Sequence, residues 1–259
     1  MFGFSKNRRP STCPVPEPVR LWLEGAFLQL QDFFGKEKTQ QRKVLTPHYT
    51  DFPIQYNGDE ENAFRTLKII ATQMEIPFED IYLELFDDTA KEVSSGSVYG
   101  QGLFLGSQNN QSDPSGLYWG KADNGQFVVS LLRSRLAQPE NMVATLAHEL
   151  AHIKLLGEER IHENDERLTD LVTVMFGLGI FNANAAFQTY RGIGYSGWQS
   201  MGYLKQMEWG YGLALFAHLR GEDNPVWAKH LTPTVKGDFT QGQNFIKKNS
   251  DKVFQQSGV

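Results

Sequence analysis

The segment from Pro139 to Leu156 is apolar on nearly every side of a predicted helix, yet it carries two histidines and a glutamate within five residues. A helix that is hydrophobic all round is buried inside the fold. Burying a polar group without a partner costs roughly 1 to 3 kcal/mol. The fold must therefore supply partners for His148, Glu149 and His152, and this requirement constrains the chain more than any other feature.

The spacing of these three residues suggests what the partner is. Residues four apart lie on the same face of a helix, so the rings of His148 and His152 can reach one metal ion. Glu149 lies on the flank, where it can take a proton from a water molecule. The run His148-Glu149-Leu150-Ala151-His152 is thus an HExxH motif, which favours a zinc site with Glu149 as general base. The alternative is a pair of partly exposed histidines bonded to ordinary backbone groups.

A second predicted helix offers the ligand that two histidines lack. Glu166 and Asp170 stand one turn apart at the start of an otherwise hydrophobic helix. We expect Glu166 to be the third metal ligand and Asp170 to accept the remaining N–H of a histidine. The competing third ligands are nearby in the sequence: Glu163, His162 and the pair Glu158-Glu159.

Residues 139–181 resemble the gluzincins, the thermolysin-like zinc metallopeptidases, which combine HExxH with a downstream Glu and an Asp four residues later. The resemblance implies a zincin-like fold and peptide hydrolysis with bound Zn²⁺. By position, it implies His148, His152 and Glu166 as zinc ligands, Glu149 as catalytic base and Asp170 as their support. It also implies that Phe127–Leu132 is an edge strand that pairs with an extended peptide substrate.

An enzyme of this kind also needs a group that stabilises the oxyanion formed during hydrolysis. The downstream segment Tyr190 to Tyr211 is rich in tyrosine. We take Tyr203 and Tyr211 as candidate donors, against the alternative that they only pack in the core or at its rim.

The rest of the chain predicts one α+β domain. Residues 1–18 are Pro-rich and expected to be mobile, and residues 19–259 form the domain, with helices and a small sheet over 19–135 and a mainly helical part with the metal site over 136–259. The sheet is predicted to be mainly antiparallel, with a hairpin turn at Asp123-Asn124-Gly125. Helices are predicted over 19–34, 60–75 and 139–156, and strands over 52–56, 81–86, 98–105, 116–121 and 127–132.

The composition of the chain limits the kinds of molecule that it can bind. A net charge of -5 and a pI near 5.7 argue against nucleic acid and anionic membranes, and the longest apolar stretch, Leu171 to Phe181, is too short to cross a bilayer. The single cysteine, Cys13, fits a reducing compartment, so we expect a soluble, cytoplasmic protein. The expected partner is a peptide or protein substrate, and the oligomeric state stays open. The alternative function is a catalytically silent, metallopeptidase-like scaffold that binds zinc or a protein.

Overall fold

The computed structural model describes residues 12–87, 116–186, 188–192, 195–199 and 202–255. Within these residues the architecture is α+β with mostly helical content, as the sequence predicts. The helices are α1 (Glu17–Phe34), α2 (Lys36–Gln41), α3 (Glu60–Gln73), α4 (Pro139–His152), α5 (Glu166–Met175), α6 (Gly179–Ala185), α7 (Gln206–Leu219) and α8 (Pro233–Lys248). The strands are β1 (Ile81–Phe86), β2 (Gly116–Lys121), β3 (Phe127–Leu132), β4 (Gln188–Gly192) and β5 (Tyr195–Gln199).

Helix α4 lies at the centre of the fold. It packs against α3, α5 and α6 on its helical side and against β2 and β3 on the other. Leu146, Ala147, Leu150 and Ala151 are fully buried, so apolar residues on successive faces of the helix all find neighbours. The burial predicted from its sequence is confirmed, and among the polar residues of α4 Glu149 and His152 are buried with this apolar surface.

Helix α4 ends earlier than its sequence pattern predicts. The regular helix stops at His152, and residues Ile153–Gly157 form one wider π-helical turn. In this turn Glu158 N donates to Ile153 O over 2.9 Å. A Cβ atom at Gly157 would lie only 2.7 Å from Cε1 of Phe127, so the glycine lets the turn pack tightly on β3.

The sheet is mixed rather than mainly antiparallel. Its strand order is β1-β3-β2, with β1 parallel to β3 and β2 antiparallel to β3. The predicted hairpin between β2 and β3 is confirmed: Ala122 N donates to Gln126 O over 2.8 Å, and Gly125 adopts a φ of 84°. The expectation that Phe127–Leu132 is an edge strand is wrong, because β1 covers its second side. Within the part of the chain that the structure describes, the edge next to α4 belongs to β2.

The N-terminal part departs from the sequence expectations in several places. Helix α1 begins at Glu17, inside the segment 1–18 that was expected to be mobile, and Val15 before it is buried. Residues 52–56 form no strand, in contrast to the prediction, and the stretch before them contains a short helix, α2. The predicted strand 98–105 and residues 1–11 lie outside the described residues. No helix among the described residues has both the length and the apolar character needed to cross a membrane.

Candidate metal centre

Helices α4 and α5 pack so that the predicted ligands converge. His148 and His152 project from α4, and Glu166 is the first residue of α5. Oε2 of Glu166 lies 3.1 Å from Nε2 of His148 and 3.5 Å from Nε2 of His152. One ligand atom from each residue lies within 4.8 Å of the others. Ligand atoms at about 2.0 to 2.1 Å from a tetrahedral ion lie about 3.3 Å apart, so this spacing fits one zinc ion.

The local sequence explains how Glu166 reaches this position. Asp165 is the N-cap of α5, and its side chain accepts a hydrogen bond from Leu168 N over 3.0 Å. The cap starts the helix at Glu166 and directs its side chain across the gap to α4. Glu166 and His148 each keep 15% of their side-chain surface exposed, so the centre opens to solvent on one side.

Asp170 supports the first histidine. Its Oδ1 lies 3.0 Å from Nδ1 of His148. Its Oδ2 accepts two backbone hydrogen bonds, from Tyr203 N over 2.7 Å and from Leu204 N over 3.0 Å. Asp170 is fully buried, and these bonds fix both of its oxygens. Nδ1 of His148 then carries the hydrogen, which leaves Nε2 with a lone pair for a metal.

The chain passes very close to Asp170 at Gly202. A Cβ atom at Gly202 would lie 3.1 Å from Oδ2 and 3.2 Å from Oδ1 of Asp170, and this glycine has a φ of 84°. Both the close approach and the backbone conformation favour glycine. The glycine thus allows the backbone to deliver the two N–H groups of Tyr203 and Leu204 to the carboxylate.

Asn164 is a site residue that the sequence reasoning missed. Its Nδ2 donates to Oε1 of Glu166 over 2.8 Å. Oε1 is thereby occupied, and Oε2 is the oxygen that faces both histidines. The available signal was its position two residues before Glu166, beside the helix cap.

The electrostatics of the centre favour a cation. Three carboxylates surround the histidines: Glu149, Glu166 and Asp170. Burial opposes protonation of His148, but its hydrogen bonds to Asp170 and Glu166 raise its pKa well above the usual value. Without a metal, a proton on His148 is the positive charge that these acids hold. A divalent ion supplies more charge at the same place, so the residues fit a resident metal.

The remaining two groups have strongly shifted pKa values. Burial and the charge of Glu166 raise the pKa of Glu149 to about 7, against the opposing effect of His148. Burial and the charge on His148 lower the pKa of His152 to about 3. His152 is therefore neutral, which is the form of imidazole that binds metals. Glu149 has the proton affinity of a general base that works near neutral pH.

The structure brings one of the two candidate tyrosines to this centre. The ring of Tyr203 stacks on that of His148 at a centroid distance of 6.1 Å and an interplanar angle of 18°. Burial, the nearby acids and a hydrogen bond to Glu166 raise the pKa of Tyr203, so its hydroxyl keeps its proton. Tyr211 lies elsewhere: it is fully buried, and its hydroxyl donates to Oε1 of Glu24 over 2.8 Å.

The competing third ligands are not part of the cluster. Glu158 accepts hydrogen bonds from Lys154 and Arg160. Glu159, His162 and Glu163 are exposed. Within the described residues, the group of side chains that can hold a metal consists of His148, His152 and Glu166.

Comparisons with protein-family models, with curated proteins and with solved structures find no match for this chain.

Proposed function

We propose that this protein is a zinc-dependent metallopeptidase. The observation that carries the proposal is the convergence of His148, His152 and Glu166 within ligand distance of one another, with Glu149 buried between the two histidines on the same helix. Two imidazoles and one carboxylate are the ligand set of catalytic zinc sites that keep an open position for water. The gluzincin resemblance of residues 139–181 rests on the same residues.

The protein side of the reaction follows from these positions. Zinc, when bound, supplies a Lewis acid that polarises a carbonyl group and acidifies water. Glu149 takes the proton of the attacking water as the new C–O bond forms at the scissile carbonyl. It then delivers that proton to the leaving amine as the C–N bond breaks. In the metal-free centre burial raises the pKa of Glu149 to about 7, so its carboxylate has a higher proton affinity than an exposed acid, as a general base requires.

Asp170 and Tyr203 complete the proposed machinery. Asp170 keeps the hydrogen of His148 on Nδ1, and Asn164 keeps Oε2 of Glu166 directed at the histidines. Tyr203 is the candidate donor to the oxyanion, since its protonated hydroxyl lies beside Glu166 and its ring covers His148. Of the two tyrosines considered from the sequence, we therefore propose Tyr203 and not Tyr211 as the oxyanion donor.

Strand β2 is the proposed substrate platform. Among the described residues it lies at one edge of the three-stranded sheet, and it packs against α4. An exposed strand edge can pair with an extended peptide through backbone hydrogen bonds. Such pairing selects peptides and unfolded protein segments as the substrate class.

The test separates metal binding from hydrolysis. We expect protein purified without added zinc to bind one zinc ion per chain and to cleave members of a peptide library. Glu149→Gln should retain the metal and lose about 100-fold or more in rate, because a general base contributes about 10² to 10⁴. Glu140→Gln is the matched control, since Glu140 is an exposed acid in the first turn of the same helix.

Two outcomes contradict the proposal. If Glu149→Gln cleaves as fast as the unaltered protein, Glu149 is not the base. If the zinc-loaded protein cleaves no peptide, the alternative of a catalytically silent zinc-binding or protein-interaction scaffold replaces the peptidase.

A further inference from the structure

A second concave region lies apart from the metal centre. Two adjoining cavities, of about 710 Å³ and about 480 Å³, share Lys38, Arg42 and Glu75 in their walls. Their walls come from the end of α1, from α2, from the end of α3 and from the turn after α4. We refer to these two cavities as the basic cleft. Neither cavity is lined by the metal-centre residues His148, Glu149, His152 or Glu166.

The charge of the basic cleft is opposite to that of the protein. Seven of its lining residues are cationic and two are acidic, whereas the whole chain carries a net charge of -5. Two further carboxylates pair with three of these cations: Asp51 with Lys43, and Glu158 with Lys154 and Arg160. The cleft therefore keeps a surplus of three positive charges. The cationic residues are Lys36, Lys38, Arg42, Lys43, Lys68, Lys154 and Arg160, and the acidic ones are Glu37 and Glu75. A concave surface lined by one sign of charge concentrates ligands of the other sign.

The inner wall of the cleft contains two buried cations, Arg42 and Lys154, which lie against aromatic rings. Two phenylalanine rings, Phe34 and Phe176, meet edge to face at a centroid distance of 4.9 Å. The guanidinium carbon of Arg42 lies 4.0 Å from the ring centroid of Phe176, and Nζ of Lys154 lies 5.5 Å from it. Arg160 covers Phe34 in the same way at 4.8 Å. Aromatic faces attract cations and hold these side chains in place.

Hydrogen bonds fix the orientation of the same cations. Arg42 donates to Oε1 of Glu75 over 2.6 Å and to the backbone oxygen of Met175 over 3.3 Å. Arg160 donates to the backbone oxygen of Phe33 over 2.7 Å and forms an ion pair with Glu158 at 2.9 Å, and Lys154 pairs with the same carboxylate. Preorganised cations lose little conformational entropy when a ligand binds, which favours affinity.

Exposed lysine side chains at the rim of the cleft add further positive charge. Lys36, Lys38 and Lys68 are exposed, and long ammonium side chains can close on phosphate oxygens from several directions. Lys38 and Glu75 form an ion pair at 2.8 Å, but both side chains face solvent, so the pair holds Lys38 only weakly.

We propose that the basic cleft binds a small polyanion, of the size and charge of a nucleotide or another compound with two or more phosphate groups. Both cavities are open to solvent, and their volumes lie within the range of small-molecule sites, about 300 to 1,000 Å³. A long nucleic acid is disfavoured, because the acidic remainder of the protein repels phosphates that extend beyond the cleft. The site needs no metal and is independent of the proposed peptidase activity.

The experiment is a calorimetric titration of the full chain with ATP and, separately, with inorganic pyrophosphate, in the presence of a metal chelator. The test variant is Lys36→Gln/Lys38→Gln/Lys68→Gln, which removes three rim charges and leaves the buried Arg42 and Lys154 intact. The control variant is Lys236→Gln/Lys247→Gln/Lys248→Gln, which removes three exposed lysines of α8. Thermal unfolding verifies that both variants fold.

We expect the unaltered protein to bind at least one probe with a stoichiometry of one. The rim variant should bind about tenfold more weakly, and the α8 control should bind as the unaltered protein does. Tighter binding of ATP than of pyrophosphate indicates that the nucleoside contributes, and equal binding indicates phosphate recognition alone. The proposal is overturned if neither probe binds, if both variants lose affinity equally, or if a single-stranded oligonucleotide binds with an affinity that rises with its length.

Discussion

Asp170→Asn is the substitution that most directly tests the tautomer argument at the metal centre. Asp170 Oδ2 accepts hydrogen bonds from Tyr203 N and Leu204 N, so only an oxygen can occupy that position. The amide of asparagine must therefore turn its Nδ2 towards Nδ1 of His148, where Oδ1 of the aspartate now lies at 3.0 Å. Nδ1 becomes an acceptor, and the hydrogen of the neutral ring moves to Nε2, which removes the lone pair that binds the metal.

The magnitude follows from the role of such supporting residues. Loss of the group that orients a metal-binding histidine costs about 10- to 100-fold in metal affinity, equivalent to about 1.4 to 2.7 kcal/mol. We expect Asp170→Asn to lie at the upper end, because the amide stabilises the wrong tautomer as well as removing the correct partner. The substitution is nearly isosteric, so packing around the buried side chain changes little.

Zinc affinity is measured by competition with a chromophoric chelator, and ¹⁵N chemical shifts of the His148 ring report its tautomer. Asp238→Asn is the control, since Asp238 accepts a hydrogen bond from Gln206 away from the centre. The shifts are read in the metal-free variant at a pH where the His148 ring is neutral. The reasoning is refuted if folded Asp170→Asn binds zinc as tightly as the unaltered protein, or if the hydrogen of this neutral ring stays on Nδ1.

Two further predictions concern the same centre. Asn164→Ala should weaken zinc binding by about tenfold, because Oε1 of Glu166 loses its donor and the carboxylate can rotate; unchanged affinity in the chelator competition assay would contradict this role. In the metal-free folded protein, Glu149 has a pKa of about 7, against an ordinary value of 4.5. Between these pH values the folded state binds more protons than the unfolded state. The free energy of unfolding therefore falls as the pH rises from 4.5 to 7. Glu149→Gln should remove this pH dependence, so its free energy of unfolding should rise relative to that of the unaltered protein by up to about 3 kcal/mol between pH 4.5 and 7. Denaturant unfolding at several pH values measures this difference. If the unfolding free energies of the two proteins change in parallel with pH, the shifted pKa is refuted.

The local sequence pattern predicted the helix and the strands around the metal centre. The apolar periodicity of α4 specified a buried helix, and the four-residue spacing of His148 and His152 placed both rings on one face. The strands β1, β2 and β3 begin and end where alternation and turn residues predict. These features depend on neighbours in the sequence, which is why the sequence alone predicted them.

The order of the strands in the sheet could not be predicted from local sequence patterns. The hairpin between β2 and β3 was predicted because its turn residues are contiguous. The parallel pairing of β1 with β3 joins residues more than forty positions apart in the sequence, and no short-range signal specifies it. Among the described strands, the edge position therefore belongs to β2 instead of β3, and the proposed peptide platform changes with it.

Sequence by itself determined that the chain must bury two histidines and a glutamate on one helix, because an apolar surface surrounds them. Only the tertiary structure decided which partners they meet. The packing of α5 on α4 selected Glu166 over its neighbours, and the backbone after Gly202 brought two N–H groups to Asp170. The same packing brings Tyr203 to the metal centre, whereas the hydroxyl of Tyr211 lies elsewhere and donates a hydrogen bond to Glu24. The physical reason is that burial is a property of a residue and its near neighbours, whereas convergence depends on how distant segments pack together.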